Sequence, residues 1–120
     1  MTKVLLIEDD ATMISLLETL LEIEGFEVKK IDDYDTVLDD AKAEIPDIVL
    51  MDIHLGEANG LEILQEMRED PDYQSVKVIM SSGMDYSSQS MKAGANDFIM
   101  KPYMPDELLD KIQQLTGRGA

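Results

Sequence analysis

Five times in 120 residues, a short strand-like run is followed by a stretch whose apolar residues recur at helical spacing. That alternation predicts a parallel sheet with helices on both faces and right-handed crossovers. The first run is Val4-Leu5-Leu6-Ile7. Asp10 can cap the helix carrying Met13, Ile14, Leu17, Leu20 and Leu21, and Gly25 ends it. Phe26 to Ile31 has mixed faces, as an edge strand would. A second helix fits Tyr34 to Glu44, with Pro46 beyond it. Ile48-Val49-Leu50-Met51 reads as the buried central strand. Leu61, Ile63, Leu64 and Met67 mark a third helix after Gly60, and Asp70-Pro71-Asp72 is loop chemistry. Val76 to Met80 is the fourth strand, followed by a turn at Ser81-Ser82-Gly83. A short helix runs from Ser87 to Ala93 and closes at Gly94. Phe98 to Met100 is the fifth strand, and Pro105 opens a last helix through Leu108, Leu109, Ile112 and Leu115.

In such a fold the carboxyl ends of all strands lie at one edge, where open α/β sheets bind ligands. The polar residues at those ends are complementary. Glu8-Asp9-Asp10 follow the first run, Asp52 ends the third, Ser82 follows the fourth, and Lys101-Pro102 follow the fifth. Glu8, Asp9, Asp52, Ser82 and Lys101 are therefore expected to converge. Asp10 is better explained as a helix cap or supporting acid than as a ligand. Met51, Met80 and Met100, all at strand ends, read as core filler.

Composition narrows the partners. Twenty-six acidic against ten basic side chains leave a net charge of −16. A surface of that sign repels nucleic acid backbones and anionic membranes, so no direct contact with either is expected. There is no cysteine, hence no disulfide or thiol chemistry. No signal-like segment precedes the first strand, and no apolar run approaches the roughly 18 residues of a membrane span. The expectation is a cytoplasmic protein.

Five segments together resemble the receiver domain of bacterial two-component response regulators. They are Val4-Leu5-Leu6-Ile7-Glu8-Asp9-Asp10, Pro46-Asp47-Ile48-Val49-Leu50-Met51-Asp52, Gly60-Leu61-Glu62, Val78-Ile79-Met80-Ser81-Ser82-Gly83, and Ala93-Gly94-Ala95-Asn96-Asp97-Phe98-Ile99-Met100-Lys101-Pro102. Each is weak alone. In this order, at these strand positions, they are specific, and the likeness runs from Lys3 to about Leu115. The resemblance implies a flavodoxin-like (βα)5 fold of strand order 2-1-3-4-5. It implies one receiver domain over residues 1–116, with residues 117–120 as a flexible tail.

The resemblance also implies a chemistry. Three carboxylates in one pocket repel one another and call for a cation, and an all-oxygen set favours a hard one. Mg2+, with Mn2+ as a substitute, would be held by Asp9 and Asp52, with Glu8 direct or through water. The family adds the backbone carbonyl of His54. Asp52 would be the nucleophile that takes a phosphoryl group from the phosphohistidine of a sensor kinase or from a phosphotransfer protein. Lys101 and Ser82 would each hold a phosphoryl oxygen. Ser82 and Phe98 would form the switch, and His54 and Met84, two residues after Asp52 and Ser82, would tune the phosphoryl lifetime. Output would pass to a downstream protein. Catalysis would be limited to the domain's own phosphorylation and dephosphorylation.

Three features depart from the family. Phe98 carries no hydroxyl for a loop carbonyl. Gly56 stands where many relatives have proline, which suggests a looser loop. From Ser82 to Phe98 there are 16 steps, about three fewer than the family, close to one helical turn. The fourth helix should be short, which bears on the usual dimer and partner face. Two other readings stay open. A Mg2+-dependent phosphohydrolase also forms an aspartyl phosphate, but its second acid would fall at His54. A receiver fold that binds a partner without being phosphorylated is the other. A flavin module fits poorly, since the acidic first loop would repel a phosphate.

Overall fold

A computed structural model describes residues 2–31, 33–42 and 45–117. Five strands run parallel: β1 (Lys3–Ile7), β2 (Glu27–Ile31), β3 (Ile48–Asp52), β6 (Lys77–Ser82) and β7 (Asp97–Met100), in the order β2-β1-β3-β6-β7. Between β3 and β6 lies an antiparallel ribbon of two short strands, β4 (His54–Leu55) and β5 (Ala58–Asn59). With the ribbon set aside, this is the expected order 2-1-3-4-5. The helices are α1 (Ala11–Ile23), α2 (Val37–Lys42), α3 (Gly60–Glu69), α4 (Ser87–Ala93) and α5 (Pro105–Thr116).

Two-residue alternation along the strands builds two cores. Leu5, Ile7, Val49, Met51, Val78 and Met80 face one way, against Val37 of α2 and Ile63, Leu64 and Met67 of α3. Val4, Leu6, Ile48, Leu50, Ile79 and Ile99 face the other, against Leu17 and Leu21 of α1 and Leu108, Leu109 and Ile112 of α5. Every residue of β3 is buried. Each such aliphatic side chain contributes about 1.5–3 kcal/mol relative to exposure. The edge strand β2 instead exposes Glu27, Lys29 and Lys30, charges that discourage pairing with another chain.

Local chemistry sets the boundaries. Asp10 Oδ1 accepts hydrogen bonds from the amides of Thr12 and Met13 at 2.9 and 3.1 Å, the expected cap. Gly25, at φ +88°, follows the end of α1. The fourth helix is seven residues long, spans Ser87–Ala93, and ends on Gly94 at φ +108°, as the shortened spacing predicts.

Several expectations need correction. Ser81 and Ser82 are the end of β6, not a turn, because Ser81 pairs with both Asp52 and Ile99 and Ser82 pairs with Met100. The second helix is shorter than predicted: Tyr34–Thr36 is a 3-10 turn, fixed by Asp33 accepting from the Asp35 amide, and α2 follows. Its predicted end at Glu44 lies outside the described residues, as do residues 118–120 of the predicted tail. Met51 and Met80 are fully buried, but Met100 is 50% exposed. It is the last residue of the edge strand β7. Met91 and Met104 are exposed as well.

Arg68 holds the back of the fold together. Its guanidinium donates to the carbonyls of Gly94, Tyr73 and Val76 and to Asn96 Oδ1, at 2.8–3.0 Å. Asn96 Oδ1 also accepts from the Val78 amide. Burial lowers the Arg68 pKa from its ordinary value, and the planar fork is what satisfies so many acceptors at once. Gly60 is a second tight point. A Cβ there would stand 2.3 Å from the Asp52 carbonyl oxygen, and the Gly60 amide donates to the Ile53 carbonyl at 2.7 Å.

Arg68→Ala should lower stability by about 2–4 kcal/mol, by unpairing buried acceptors, and Arg68→Lys should recover only part of it; urea unfolding reads both. Gly60→Ala should cost about 1–3 kcal/mol through overpacking against Asp52, seen as a lower midpoint in the same titration.

Candidate functional site

The parallel register brings the candidate residues to the carboxyl edge of the sheet. Ile7 pairs with Met51, so Glu8 and Asp9 leave β1 beside Asp52 at the end of β3. Glu8 and Asp52 are buried and Asp9 is exposed. One carboxylate oxygen from each lies within 4.8 Å of the others. Lys101 enters from β7, with Nζ 2.5 Å from Glu8 Oε1 and 3.2 Å from Asp52 Oδ2. Its amide donates to the Ser82 carbonyl at 2.8 Å, and the Lys101-Pro102 peptide is cis.

Each acid is held by neighbours. Glu8 Oε2 accepts from the amides of Asp9 and Asp10 at 3.0 and 3.4 Å. Asp9 Oδ2 accepts from the Gly56 amide at 2.9 Å. Gly56 sits at φ +62°, where only glycine is at ease, and a proline there would have no amide to donate. The Tyr34 hydroxyl donates to the Glu8 carbonyl at 3.2 Å. The Ile53 amide donates to the Ser81 carbonyl at 2.9 Å, tying the chain just after Asp52 to β6.

The electrostatics are unbalanced. Burial, reinforced by the Asp52 charge, raises the Glu8 pKa, against the pull of Lys101 and the Asp10 amide. Burial works against the Lys101 ammonium, but its hydrogen bond to Glu8 and the charges of Glu8 and Asp52 prevail and raise its pKa. Burial also raises the Tyr103 phenol, and the charges of Glu8 and Asp52 add to it, so it stays protonated. One ammonium faces three carboxylates. The three carboxylates offer a hard, all-oxygen donor set of the kind that Mg2+ takes. The residues fit such an ion.

The remaining candidates surround this cluster. Ser82 is fully buried, and its Oγ accepts from the Met84 amide at 3.2 Å. Met84 is 63% exposed. A Cβ on Gly83 would meet open space. His54 opens the ribbon, paired with Asn59, and its imidazole is exposed. Its ring meets Tyr86 edge-on, with centroids 5.6 Å apart. Phe98 is half-buried and packs on the core face that contains Met80. Tyr34, Tyr86 and Tyr103 were not singled out by sequence reasoning. Their contacts are to residues 26 or more positions away, or depend on loop geometry, and no local spacing marks them.

Comparison with known proteins identifies the family. The pattern described as "Response regulator receiver domain" matches residues 4–113. The chain is 33% identical over 123 residues to the sensory transduction protein RegX3 of Mycolicibacterium smegmatis, covering all of this chain and 53% of that one. It spans about half the length of the curated relatives it matches. Its fold superposes on a CheY-like response regulator receiver domain protein of Methanospirillum hungatei with a TM-score of 0.88 and 30% identity, covering 98% of this chain and 94% of the other. The receiver domain of a sensor histidine kinase of Pseudomonas aeruginosa, described with a magnesium ion coordinated in its active site cleft, superposes with a TM-score of 0.86 at 25% identity, covering 98% of each chain. With its five-stranded parallel sheet and clustered acids, the chain belongs to the receiver domain family of two-component response regulators.

Proposed function

We propose that this domain accepts a phosphoryl group on Asp52 and passes the resulting change of shape to a protein partner. The observation that carries the proposal is the Lys101 ammonium between Glu8 and Asp52, with Asp9 completing the acid cluster. The donor would be the phosphohistidine of a histidine kinase or of a phosphotransfer protein. An Asp52 oxygen bonds to phosphorus as the phosphorus–nitrogen bond breaks, and the histidine nitrogen keeps the electron pair. Lys101 orients and neutralises one phosphoryl oxygen, and the Ser82 hydroxyl, turning from the Met84 amide, donates to another.

Glu8, Asp9, Asp52 and the His54 carbonyl would hold Mg2+, which when bound supplies charge neutralisation for the incoming phosphoryl group. Mn2+ accepts the same oxygen donors. Ser82 and Phe98 are the proposed switch: drawing Ser82 toward the phosphoryl group would reshape the β6–α4 loop, and Phe98, on the same core face as Met80, would respond. His54 and Met84, two residues after Asp52 and Ser82, would limit the approach of water. The receiver unit would occupy residues 1–116. Among the described residues no helix is long and apolar enough to cross a membrane, and a cytoplasmic location fits the proposed donors. The acidic surface favours output by protein contact over direct contact with nucleic acid. The only chemistry we assign is the domain's own phosphorylation and dephosphorylation.

Intact mass after incubation with acetyl phosphate tests the proposal. One phosphoryl group should be added, only with Mg2+ present, and not to Asp52→Ala; an adduct that persists in Asp52→Ala would refute the assignment. The raised Glu8 pKa gives a second test. Protons and Mg2+ compete for the same carboxylate, so affinity should fall as pH is lowered, beginning above the ordinary carboxylate range. In Glu8→Gln, Mg2+ binding should be weaker and should lose that part of its pH dependence, measured by titration calorimetry across pH.

A further inference from the structure

Tyr86 takes no part in the chemistry assigned above, yet it is firmly placed. Asp85 Oδ1 accepts from the Ser87 amide at 3.0 Å and from the Ser87 hydroxyl at 2.5 Å. The Tyr86 carbonyl accepts from the Ser90 amide at 2.9 Å, which closes the first turn of α4. The ring is half-buried and packs on the core face formed by Met51 and Met80. From that base it meets the exposed His54 imidazole at an interplanar angle of 74°. This is the edge-to-face arrangement that aromatic quadrupoles favour.

The location of the pair matters. His54 follows Asp52 by two residues, and Tyr86 follows Ser82 by four. The contact therefore links the segments leaving β3 and β6, adjacent strands that pair Asp52 with Ser81. His54 has no other side-chain contact of this kind among the described ring pairs. Met84, the other residue proposed at the mouth, is 63% exposed.

We propose that Tyr86 is a positioning residue of the phosphoryl site. Its ring holds the His54 side chain at the mouth, and the pair restricts the approach of water to the phosphoryl group. The inference rests on the reading of Asp52 as phosphoacceptor. In the step it controls, a water oxygen bonds to phosphorus and the phosphorus–Asp52 oxygen bond breaks. The Asp52 carboxylate keeps the electron pair, and inorganic phosphate leaves with the water's protons. Tyr86 acts only through His54, so the edge contact of its ring, not its hydroxyl, is the feature required.

The test is a double-mutant cycle on the hydrolysis rate of protein loaded with acetyl phosphate in Mg2+ and then freed of donor. Tyr86→Leu should hydrolyse about fivefold faster than the parent, the order expected when one aromatic pair is lost. His54→Ala should show a similar increase, and the double variant no more than either alone. Tyr86→Phe, which keeps the ring, should stay within about twofold of the parent. The proposal is overturned if Tyr86→Leu leaves the rate unchanged, if the two single effects multiply, or if Tyr86→Phe is as fast as Tyr86→Leu. If Tyr86→Leu fails to fold, Tyr86→Met takes its place in the cycle, filling the half-buried position without a ring, and an unchanged rate there likewise overturns the proposal. A parent protein that takes up no phosphoryl group would overturn the underlying assignment of Asp52, a result distinct from a loaded protein whose lifetime ignores Tyr86.

Discussion

Lys101 between Glu8 and Asp52 is the interaction on which the rest of the site depends. Two carboxylates are buried at the end of a sheet whose strands are otherwise apolar, and a third stands beside them. Taking such charges out of water is costly unless each finds a partner. A single ammonium cannot balance three acids, and the backbone supplies the remainder: the amides of Asp9 and Asp10 serve Glu8, and that of Gly56 serves Asp9. The cluster is held in place while remaining net negative, an all-oxygen set whose chemistry suits a hard cation.

Parallel pairing makes this arrangement possible. It aligns every strand in one direction, so chemistry encoded far apart in the chain meets at one edge. Glu8 and Lys101 are 93 residues apart in sequence and in direct contact in space. The same pairing buries both faces of β3, and that rigidity is what lets an acid at its end keep its position.

The sheet was largely legible because its strands are apolar and its helices periodic. Glu8, Asp9, Asp52 and Lys101 were legible because each stands within two residues of the end of an apolar run. Ser81 and Ser82 were misread as a turn: their polarity suggests a loop, and only pairing with β3 and β7 keeps them in strand. The ribbon His54–Leu55 with Ala58–Asn59 is too short to leave a periodic signal. Tyr34 on the Glu8 carbonyl, Arg68 across four acceptors and Tyr86 on His54 are tertiary facts that no local pattern carries. Met100 shows the opposite error, an apolar residue assigned to the core that an edge strand leaves in water.

The two ends of α4 are secured very differently. Behind it, Gly94 and Asn96 are bolted by the Arg68 guanidinium to α3 and to the start of β6. In front, the Tyr86 side chain caps nothing, and the one side-chain acceptor for a first-turn amide is Asp85, one residue further out, on Ser87. At seven residues it is only about 10 Å long. A helix tied to other elements at its rear, and held at its front mainly by neighbours in its own segment, would pivot more readily than slide. Small displacements of the loop after Ser82 would thus become a tilt of α4, with the largest excursion at the end nearest the acids and the least at Arg68.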